Sequence, residues 1–186
     1  MEIRHATEAD LEQITEIYAY ARKFMAEHDN PNQWGPTNWP PRQLIEKDIF
    51  WGASYVCVHE NRIVGTFFHE AGEKIEPAYE KIENGEWLDH SGTYGVVHRI
   101  AGDCSVKGIG RFCLEWAIEQ SGGHLRIDTH PDNIVMQNLL KKLGFTCCGI
   151  IYVEEDDNPR LAYEICRMPG KYVCPPGPSK DVPTVT

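Results

Sequence analysis

Apolar residues recur at the spacing of an α-helix in two long stretches of the chain. The first stretch follows Thr7, which together with Asp10 predicts a helix cap, and it continues to about Glu27. The second stretch predicts a helix that ends at the glycines Gly122 and Gly123. The apolar positions that define these two helices are Leu11, Ile14, Tyr18, Ala21 and Met25, and then Ile109, Phe112, Cys113, Trp116 and Ala117.

Runs rich in β-branched and aromatic residues predict strands at residues 2–6, 53–59, 63–69, 94–100, 124–130, 146–154 and 160–166. Two shorter helices are predicted at residues 42–51 and between Asn133 and Gly144. The predicted order is β-α-α-β-β-β-α-β-α-β-β. Mostly antiparallel strands with helices on both faces give an α+β sandwich.

Two long connections separate these elements. Residues 29–41 contain four prolines together with Trp34 and Trp39, which either pack over the edge of the core or form a wall of a substrate pocket. Residues 70–91 are polar and longer than a compact domain usually needs, which favours a functional loop. The acidic turn at residues 155–159 is interpreted as a solvated hairpin tip.

The chain's 186 residues suit one domain, predicted at residues 1–166, followed by a tail at 167–186 that holds five prolines. The net charge of −10 argues against nucleic-acid binding and suits a cationic partner. We find no apolar run long enough to span a membrane and no secretory signal near the first residue, so the expectation is a cytoplasmic protein without membrane attachment.

The seven cysteines are odd in number and form no C-x-x-C pair. We therefore expect free thiols in a reducing compartment and no metal site. Cys113 falls on the apolar stripe of its predicted helix, whereas Cys104 lies in a loop. Cys104 is a weak candidate nucleophile.

The candidate chemistry lies in the loop between the strand at 94–100 and the helix that follows it. The loop reads Ser105-Val106-Lys107-Gly108-Ile109-Gly110-Arg111. Glycines let an anion approach the backbone, and the first N–H groups of a helix have no partner within the helix. This arrangement predicts a phosphate site, although the alternative is an ordinary strand–helix turn.

The glycine loop, the next strand, the helix led by Asn133 and the pair Gly144-Phe145 together resemble the GCN5-related N-acetyltransferases (GNAT family). The resemblance covers roughly residues 3–165. It implies a three-layer sandwich with a mixed, mostly antiparallel sheet, in which the fourth and fifth strands run parallel and splay apart. It also implies acetyl-CoA as cosubstrate, held in that cleft.

The resemblance implies contacts to acetyl-CoA from three places. The strand end would pair with pantetheine, the glycine loop would bind the pyrophosphate, and the Asn-led helix would contact the cofactor arm. The cofactor-binding residues implied in this way are Ile100, Gly102, Val106, Lys107, Gly108, Ile109, Gly110, Arg111, Asn133 and Met136.

His98 is the candidate general base. It lies two residues before Ile100, so regular alternation predicts that both face the same side of the strand. An imidazole can accept an ammonium proton near neutral pH, and some arylalkylamine acetyltransferases have a histidine here. The alternative is a structural histidine, and other candidate bases are His69, His130, Glu70 and Asp128.

The chain departs from the family pattern at three points. Ser105 stands where Gln or Arg is usual, the link from Ile100 to Gly108 is about two residues short, and Leu140 replaces a tyrosine that commonly protonates the leaving thiolate.

The resulting prediction is an acetyl-CoA-dependent N-acetyltransferase that acts on the primary amine of a small molecule by direct attack in a ternary complex. A non-catalytic acyl-CoA-binding or sensing module is the alternative, favoured by Leu140 and Ser105. An unrelated phosphate-binding enzyme would need a Walker motif, which the sequence lacks. A homodimer is left open.

Overall fold

The computed structural model describes residues 1–153 and 158–167. In this part of the chain, the predicted order of seven strands and four helices is confirmed. The strands are β1 (Glu2–His5), β2 (Ser54–His59), β3 (Arg62–Glu73), β4 (Thr93–Gly102), β5 (His124–Thr129), β6 (Thr146–Tyr152) and β7 (Pro159–Cys166). The helices are α1 (Leu11–Glu27), α2 (Arg42–Phe50), α3 (Ile109–Gln120) and α4 (Ile134–Leu143).

The strands form a mixed sheet in the order β1-β2-β3-β4-β5-β7-β6. Antiparallel pairing joins β1 to β2, β2 to β3, β5 to β7 and β7 to β6. The pairing of β4 with β5 is parallel, with Gly95 opposite Leu125 and Val96 opposite Arg126. The mixed sheet and its helices confirm the predicted α+β class, and the splaying of β4 from β5 stays a prediction.

The chain forms two compact units, and each of them is assembled from two separate segments. The first unit combines Met1–Glu70 with Val97–Trp116, and the second combines Ala71–Val96 with the described residues from Ala117 onward. No single point in the chain divides the two units. The bounds of the predicted domain, residues 1–166, stay a prediction.

The first unit has helices on both faces of its strands. Val56 of β2 is buried in a core with residues of α1 and α2, including Ile14 and Ile45. Its neighbour Tyr55 contacts Trp116 of α3, with 4.8 Å between the ring centroids. Because successive residues of a strand face opposite sides, α3 covers the side opposite to α1 and α2.

Local sequence signals account for the start of the first unit. The backbone N–H and the hydroxyl of Thr7 both donate to Asp10, which confirms the predicted capping box. The predicted helix begins with a short 3₁₀ turn at residues 8–10 before α1. Arg4 also contacts Asp10, with Nη1 at 2.7 Å from Oδ2 and Nη2 at 2.9 Å from Oδ1.

The two tryptophans of the connection between α1 and α2 are half-buried. Trp34 packs edge-on against Tyr18, with the ring centroids 5.9 Å apart. The carbonyl oxygen of Trp39 accepts a hydrogen bond from Arg22. The contact with Tyr18 supports packing of Trp34 over the core edge. The role of either tryptophan in a substrate pocket stays a prediction.

The second unit packs the long connection between β3 and β4 around aromatic rings. Tyr79 is fully buried, and its carbonyl oxygen accepts from the indole of Trp87. The guanidinium carbon of Arg126 lies 4.2 Å from the ring centroids of both Trp87 and Tyr94. Most of the predicted acidic turn and of the proline-containing tail, including Cys174, lies outside the described residues.

Candidate functional site

The last three residues of the predicted glycine loop form the start of α3, which begins at Ile109. Gly108 has φ +87°, a left-handed conformation that disfavours side chains, and no other heavy atom lies within 4 Å of where its Cβ would be. Gly108 and Lys107 are exposed, and Val106 is half-buried. Gly110 lies in the first turn of α3. Open space next to the N-terminus of a helix fits an anion.

Two further glycines fix where α3 begins. A Cβ on Gly65 of β3 would lie 2.6 Å from Cγ2 of Ile109, and a Cβ on Gly102 of β4 would lie 3.3 Å from the same atom. The first residue of α3 therefore sits directly on the backbone of two strands. This close approach holds the helix N-terminus beside the end of β4.

A turn organised by Asp103 links β4 to the loop. Its Oδ1 accepts from the Ser105 backbone N–H at 2.9 Å and from the Ser105 hydroxyl at 2.6 Å. The Asp103 backbone N–H donates to Val64 of β3. Ser105 therefore supports the loop itself, which explains how the chain accommodates serine at this position.

The basic residues of the loop differ in their surroundings. Arg111 is exposed and donates to Glu115, one turn later in α3, at 3.1 Å. Among residues 1–153 and 158–167, no ion pair involves Lys107, whose side chain is exposed. Lys107 is thus the cation that a phosphate could approach without displacing a carboxylate.

β4 is interrupted between His98 and Ile100. Arg99 has φ +53°, which departs from the extended conformation of a strand. The alternation that predicted a shared face for His98 and Ile100 does not hold through such a residue. His98 is half-buried, with its ring 5.7 Å from that of Phe68, and Ile100 and Gly102 are also half-buried.

The sequence analysis missed the ion pair beside His98. Nη2 of Arg99 lies 2.8 Å from Oδ2 of Asp48 in α2. A signal was present, because Asp48 shares the buried face of α2 with Ile45 and Ile49. A carboxylate on an apolar face requires a partner.

The alternative bases have other surroundings. His69 is buried near Trp116 and Tyr55, and burial lowers its pKa to about 4. Asp128 accepts a hydrogen bond from the Tyr79 hydroxyl at 2.8 Å, and Nδ1 of His130 accepts from a backbone N–H. These contacts give all three residues structural roles, and the fourth alternative, Glu70, is exposed.

The Asn-led helix begins as predicted, in the second unit. Oδ1 of Asn133 accepts from the backbone N–H of Met136 at 3.0 Å, so Asn133 caps α4. Met136 is half-buried, whereas Leu140 is completely buried.

A buried carboxylate organises the second unit. Glu164 of β7 accepts hydrogen bonds from His124 at 2.6 Å and from Arg126 at 2.9 Å. It also accepts from the backbone N–H groups of Leu88 and, at 3.4 Å, Asp89. Burial opposes ionisation, but the hydrogen bond from His124 and the charge and hydrogen bond of Arg126 outweigh it and lower the pKa of Glu164.

The side chains of His124, Glu164 and Cys166 each offer one metal-ligating atom within 4.8 Å of the others. Within the described residues, Oε1 of Glu164 already accepts from both His124 and Arg126. A cationic guanidinium at that oxygen competes with a metal ion. The cluster is therefore better explained as a structural hydrogen-bond network.

None of the helices in the described part of the chain combines the length and apolar character needed to cross a bilayer. Comparison with protein-family models and with curated proteins finds no match to this sequence.

Solved structures do match the chain. A GNAT-family acetyltransferase from Streptococcus agalactiae aligns with a TM-score of 0.81 and 29% identity, over 90% of this chain and 96% of its own. A putative acetyltransferase from Staphylococcus aureus aligns with a TM-score of 0.62 and 21% identity, over 88% and 97%. The GNAT-like decarboxylase GphF, solved with isobutyryl-CoA, has a TM-score of 0.62 and 17% identity, over 89% and 99%. The last two matches concern the fold alone. Together with the confirmed order of strands and helices, the matches confirm the predicted resemblance of the chain to the GCN5-related N-acetyltransferases.

Proposed function

We propose that the protein transfers the acetyl group of acetyl-CoA to the primary amine of a small molecule, by direct attack within a ternary complex. The observation that carries this proposal is the open space at Gly108, where a left-handed glycine precedes the N-terminus of α3. The resemblance to GNAT-family structures supports an acyl-CoA-dependent acyltransferase. The choice of an amine acceptor rests on His98 and on the acidic charge of the chain.

Groups from three parts of the chain are proposed to bind acetyl-CoA. The unpaired N–H groups of the first turn of α3 and the Lys107 ammonium would hold the pyrophosphate. Backbone groups at Ile100 and Gly102 would hold pantetheine. Asn133 is proposed to contact acetyl-CoA, as the resemblance to the family implies.

In the reaction, the neutral amine nitrogen attacks the thioester carbonyl carbon and the carbon–sulfur bond breaks. His98 accepts the proton that the amine loses, directly or through water. Leu140 carries no ionisable group, so no proton can come from that position. A thiol with an ordinary pKa of about 8.5 leaves as a thiolate without a strong acid beside it.

Calorimetry with acetyl-CoA tests whether the glycine loop binds the pyrophosphate. Gly108→Glu places a carboxylate in the open space, and we expect at least about tenfold weaker binding, or about 1.4 kcal/mol. Gly122→Glu is the matched control, because Gly122 also has positive φ and open space but follows the C-terminal end of α3. Both variants change the net charge equally. Equal affinity of the parent and Gly108→Glu for acetyl-CoA would refute the proposed pyrophosphate site.

A library of primary amines, incubated with acetyl-CoA and analysed by mass spectrometry, tests the reaction. We expect products that carry one added acetyl group. The second candidate function, a non-catalytic acyl-CoA-binding module, is favoured by the buried Leu140. Tight acetyl-CoA binding without turnover of any amine would support it instead.

A further inference from the structure

The starting point is the backbone of Arg99. Its φ of +53° lies in the left-handed region, in the middle of β4 and between His98 and Ile100. L-residues with a side chain disfavour this region because Cβ crowds the backbone. Such a conformation persists when the surroundings over-determine it, and it is concentrated at functional sites. The contacts of the Arg99 side chain therefore need an explanation.

The Arg99 side chain is held by two other elements of the same unit. Its Nη2 lies 2.8 Å from Oδ2 of Asp48 in α2, and both side chains are 11% exposed. Its guanidinium carbon lies 4.7 Å from the ring centroid of Phe68 in β3. The ion pair with Asp48 and the neighbouring ring of Phe68 together restrict the guanidinium in position and orientation.

The Asp48–Arg99 ion pair lies in surroundings that are largely closed to water. Burial raises the pKa of Asp48, and the charge and hydrogen bond of Arg99 oppose that effect. Tyr18 of α1 is fully buried, and its pKa is raised to about 12, chiefly by burial. The Arg99 and Asp48 charges act on Tyr18 in opposite directions, which places both charges beside this neutral ring.

His98 shares one of these supports. Its ring lies 5.7 Å from Phe68, the same ring that contacts the Arg99 guanidinium. A change at Arg99 can thus reach His98 through the backbone between them and through Phe68. No other residue has to move for this to happen.

We propose that Asp48 and Arg99 form a positioning pair that holds β4 in its left-handed turn and thereby orients His98 and the backbone at Ile100 for acyl transfer. This inference rests on the proposed function. The pair acts through the backbone of β4 and not by touching the substrate. Asp48 reaches β4 from α2, 51 positions away in the sequence.

A direct role in acceptor binding is the competing explanation. In the described part of the chain, Nε of Arg99 is buried and has no hydrogen-bond partner. A carbonyl or carboxylate oxygen of an acceptor could occupy that donor. The test must therefore separate loss of the guanidinium from loss of the backbone conformation.

Arg99→Ala and Arg99→Gly make this separation. Both remove the guanidinium, but only glycine adopts positive φ without steric cost. We expect Arg99→Ala to lower kcat by roughly 100-fold, since small misplacements of reacting groups have effects of that size. We expect Arg99→Gly to retain at least about five times the kcat of Arg99→Ala. Affinity for acetyl-CoA should fall less than kcat in both, because Ile100 is only one of the positions proposed to hold the cosubstrate.

Asp48→Asn and Arg99→Lys test the partner. Asparagine keeps the shape of Asp48 but removes its charge, and we expect a reduced kcat with little change in KM for the amine. Arg99→Lys keeps a positive charge near Asp48, so it should retain more of the parent's kcat than Arg99→Ala does. Phe68→Leu leaves the ion pair intact and provides a folded variant if Asp48→Asn unfolds. It should lower kcat less than Arg99→Ala does.

A readout without turnover comes from NMR of the His98 imidazole. Its resonances report the orientation of the ring relative to Phe68. We expect them to shift in Arg99→Ala and Asp48→Asn, and to shift less in Arg99→Gly. Unchanged His98 resonances together with parent-like kcat would overturn the positioning role.

Equal loss in Arg99→Ala and Arg99→Gly, with a raised KM for the amine, would also overturn it, in favour of direct acceptor contact. Failure of the proposed function looks different. In that case the parent itself would acetylate no amine, whereas failure of this inference alone leaves an active parent.

Discussion

Gly65→Ala is the substitution that most directly tests how the fold positions the glycine loop. Gly65 lies in β3, far from the loop in sequence, and carries no proposed chemistry. Its added methyl group would lie 2.6 Å from Cγ2 of Ile109, the first residue of α3. If the position of this helix N-terminus determines binding, a methyl group on β3 should weaken the affinity for acetyl-CoA.

The size of the effect follows from three distances. Carbon atoms in contact prefer about 3.5–4.0 Å, so Ile109 must retreat by about 1 Å. The methyl group has little room on its other sides, where Ala101 O is at 3.2 Å and Cys57 Cβ at 3.4 Å. Ile109 is β-branched in a helix, so its χ1 is restricted. Overpacking of this kind destabilises by about 1–3 kcal/mol.

The same displacement affects binding. Hydrogen bonds to phosphate tolerate only a few tenths of an ångström, so an N-terminus moved by about 1 Å should lose roughly tenfold in affinity. Urea unfolding would measure the stability, and calorimetry would measure binding of acetyl-CoA. Both values should fall together in Gly65→Ala.

The double variant Gly65→Ala/Ile109→Ala is the control for a steric cause. Ile109→Ala removes the clashing Cγ2, so the added methyl group on Gly65 gains room. We expect the two substitutions to be less harmful together than their sum, by about 0.5–3 kcal/mol. A Gly65→Ala variant as stable as the parent, with the parent's affinity, would refute the argument, and additive effects would show that the clash is not its cause.

Three further substitutions test other parts of the structure. His98→Ala should lower kcat roughly 100-fold while acetyl-CoA affinity changes little, as steady-state kinetics and calorimetry would show, and parent-like turnover across pH would exclude His98 as the base. Asp10→Asn should lower the free energy of unfolding by about 2 kcal/mol near neutral pH. The reason is that the pKa of Asp10 is lowered to about 2, mainly by the hydrogen bonds and charge of Arg4. This contribution is present above the unfolded pKa of about 4 and is lost as the pH falls towards 2, so urea unfolding should show parent and variant converging at low pH. Leu140→Tyr should lower the thermal midpoint, because the completely buried leucine leaves no free room for a ring, and an unchanged midpoint with higher kcat would show that the position can accept an acid.

The elements with local signals were predictable from the sequence. The apolar stripe of α3, the glycine pair after it and the capping pair of Thr7 and Asp10 each depend on residues a few positions apart. Such patterns are set by helix geometry and by backbone hydrogen bonding, whatever the rest of the chain does. The same applies to the hairpin turn between β2 and β3, where Glu60 and Asn61 both have positive φ.

The features that depend on distant contacts were not predictable in the same way. Arg99 reads as one residue in a regular strand, and its left-handed backbone becomes understandable only with Asp48 and Phe68 in place. Glu164 finds its partners between 38 and 76 positions away along the chain. A charged residue within an apolar run signals that a partner exists, but the sequence does not say which residue it is.

The anchoring of the long connection by Glu164 has a consequence for protein engineering. Leu88 and Asp89 are attached to β7 through their backbone N–H groups, so the identity of their side chains is not what the anchor recognises. Randomised libraries at these two positions should keep the attachment, provided that neither becomes proline, which has no N–H. When this connection is transplanted into a relative, Glu164 has to be transferred with it, because a recipient without a buried acid in β7 would leave the segment unattached. The connection and Glu164 therefore form one module for recombination.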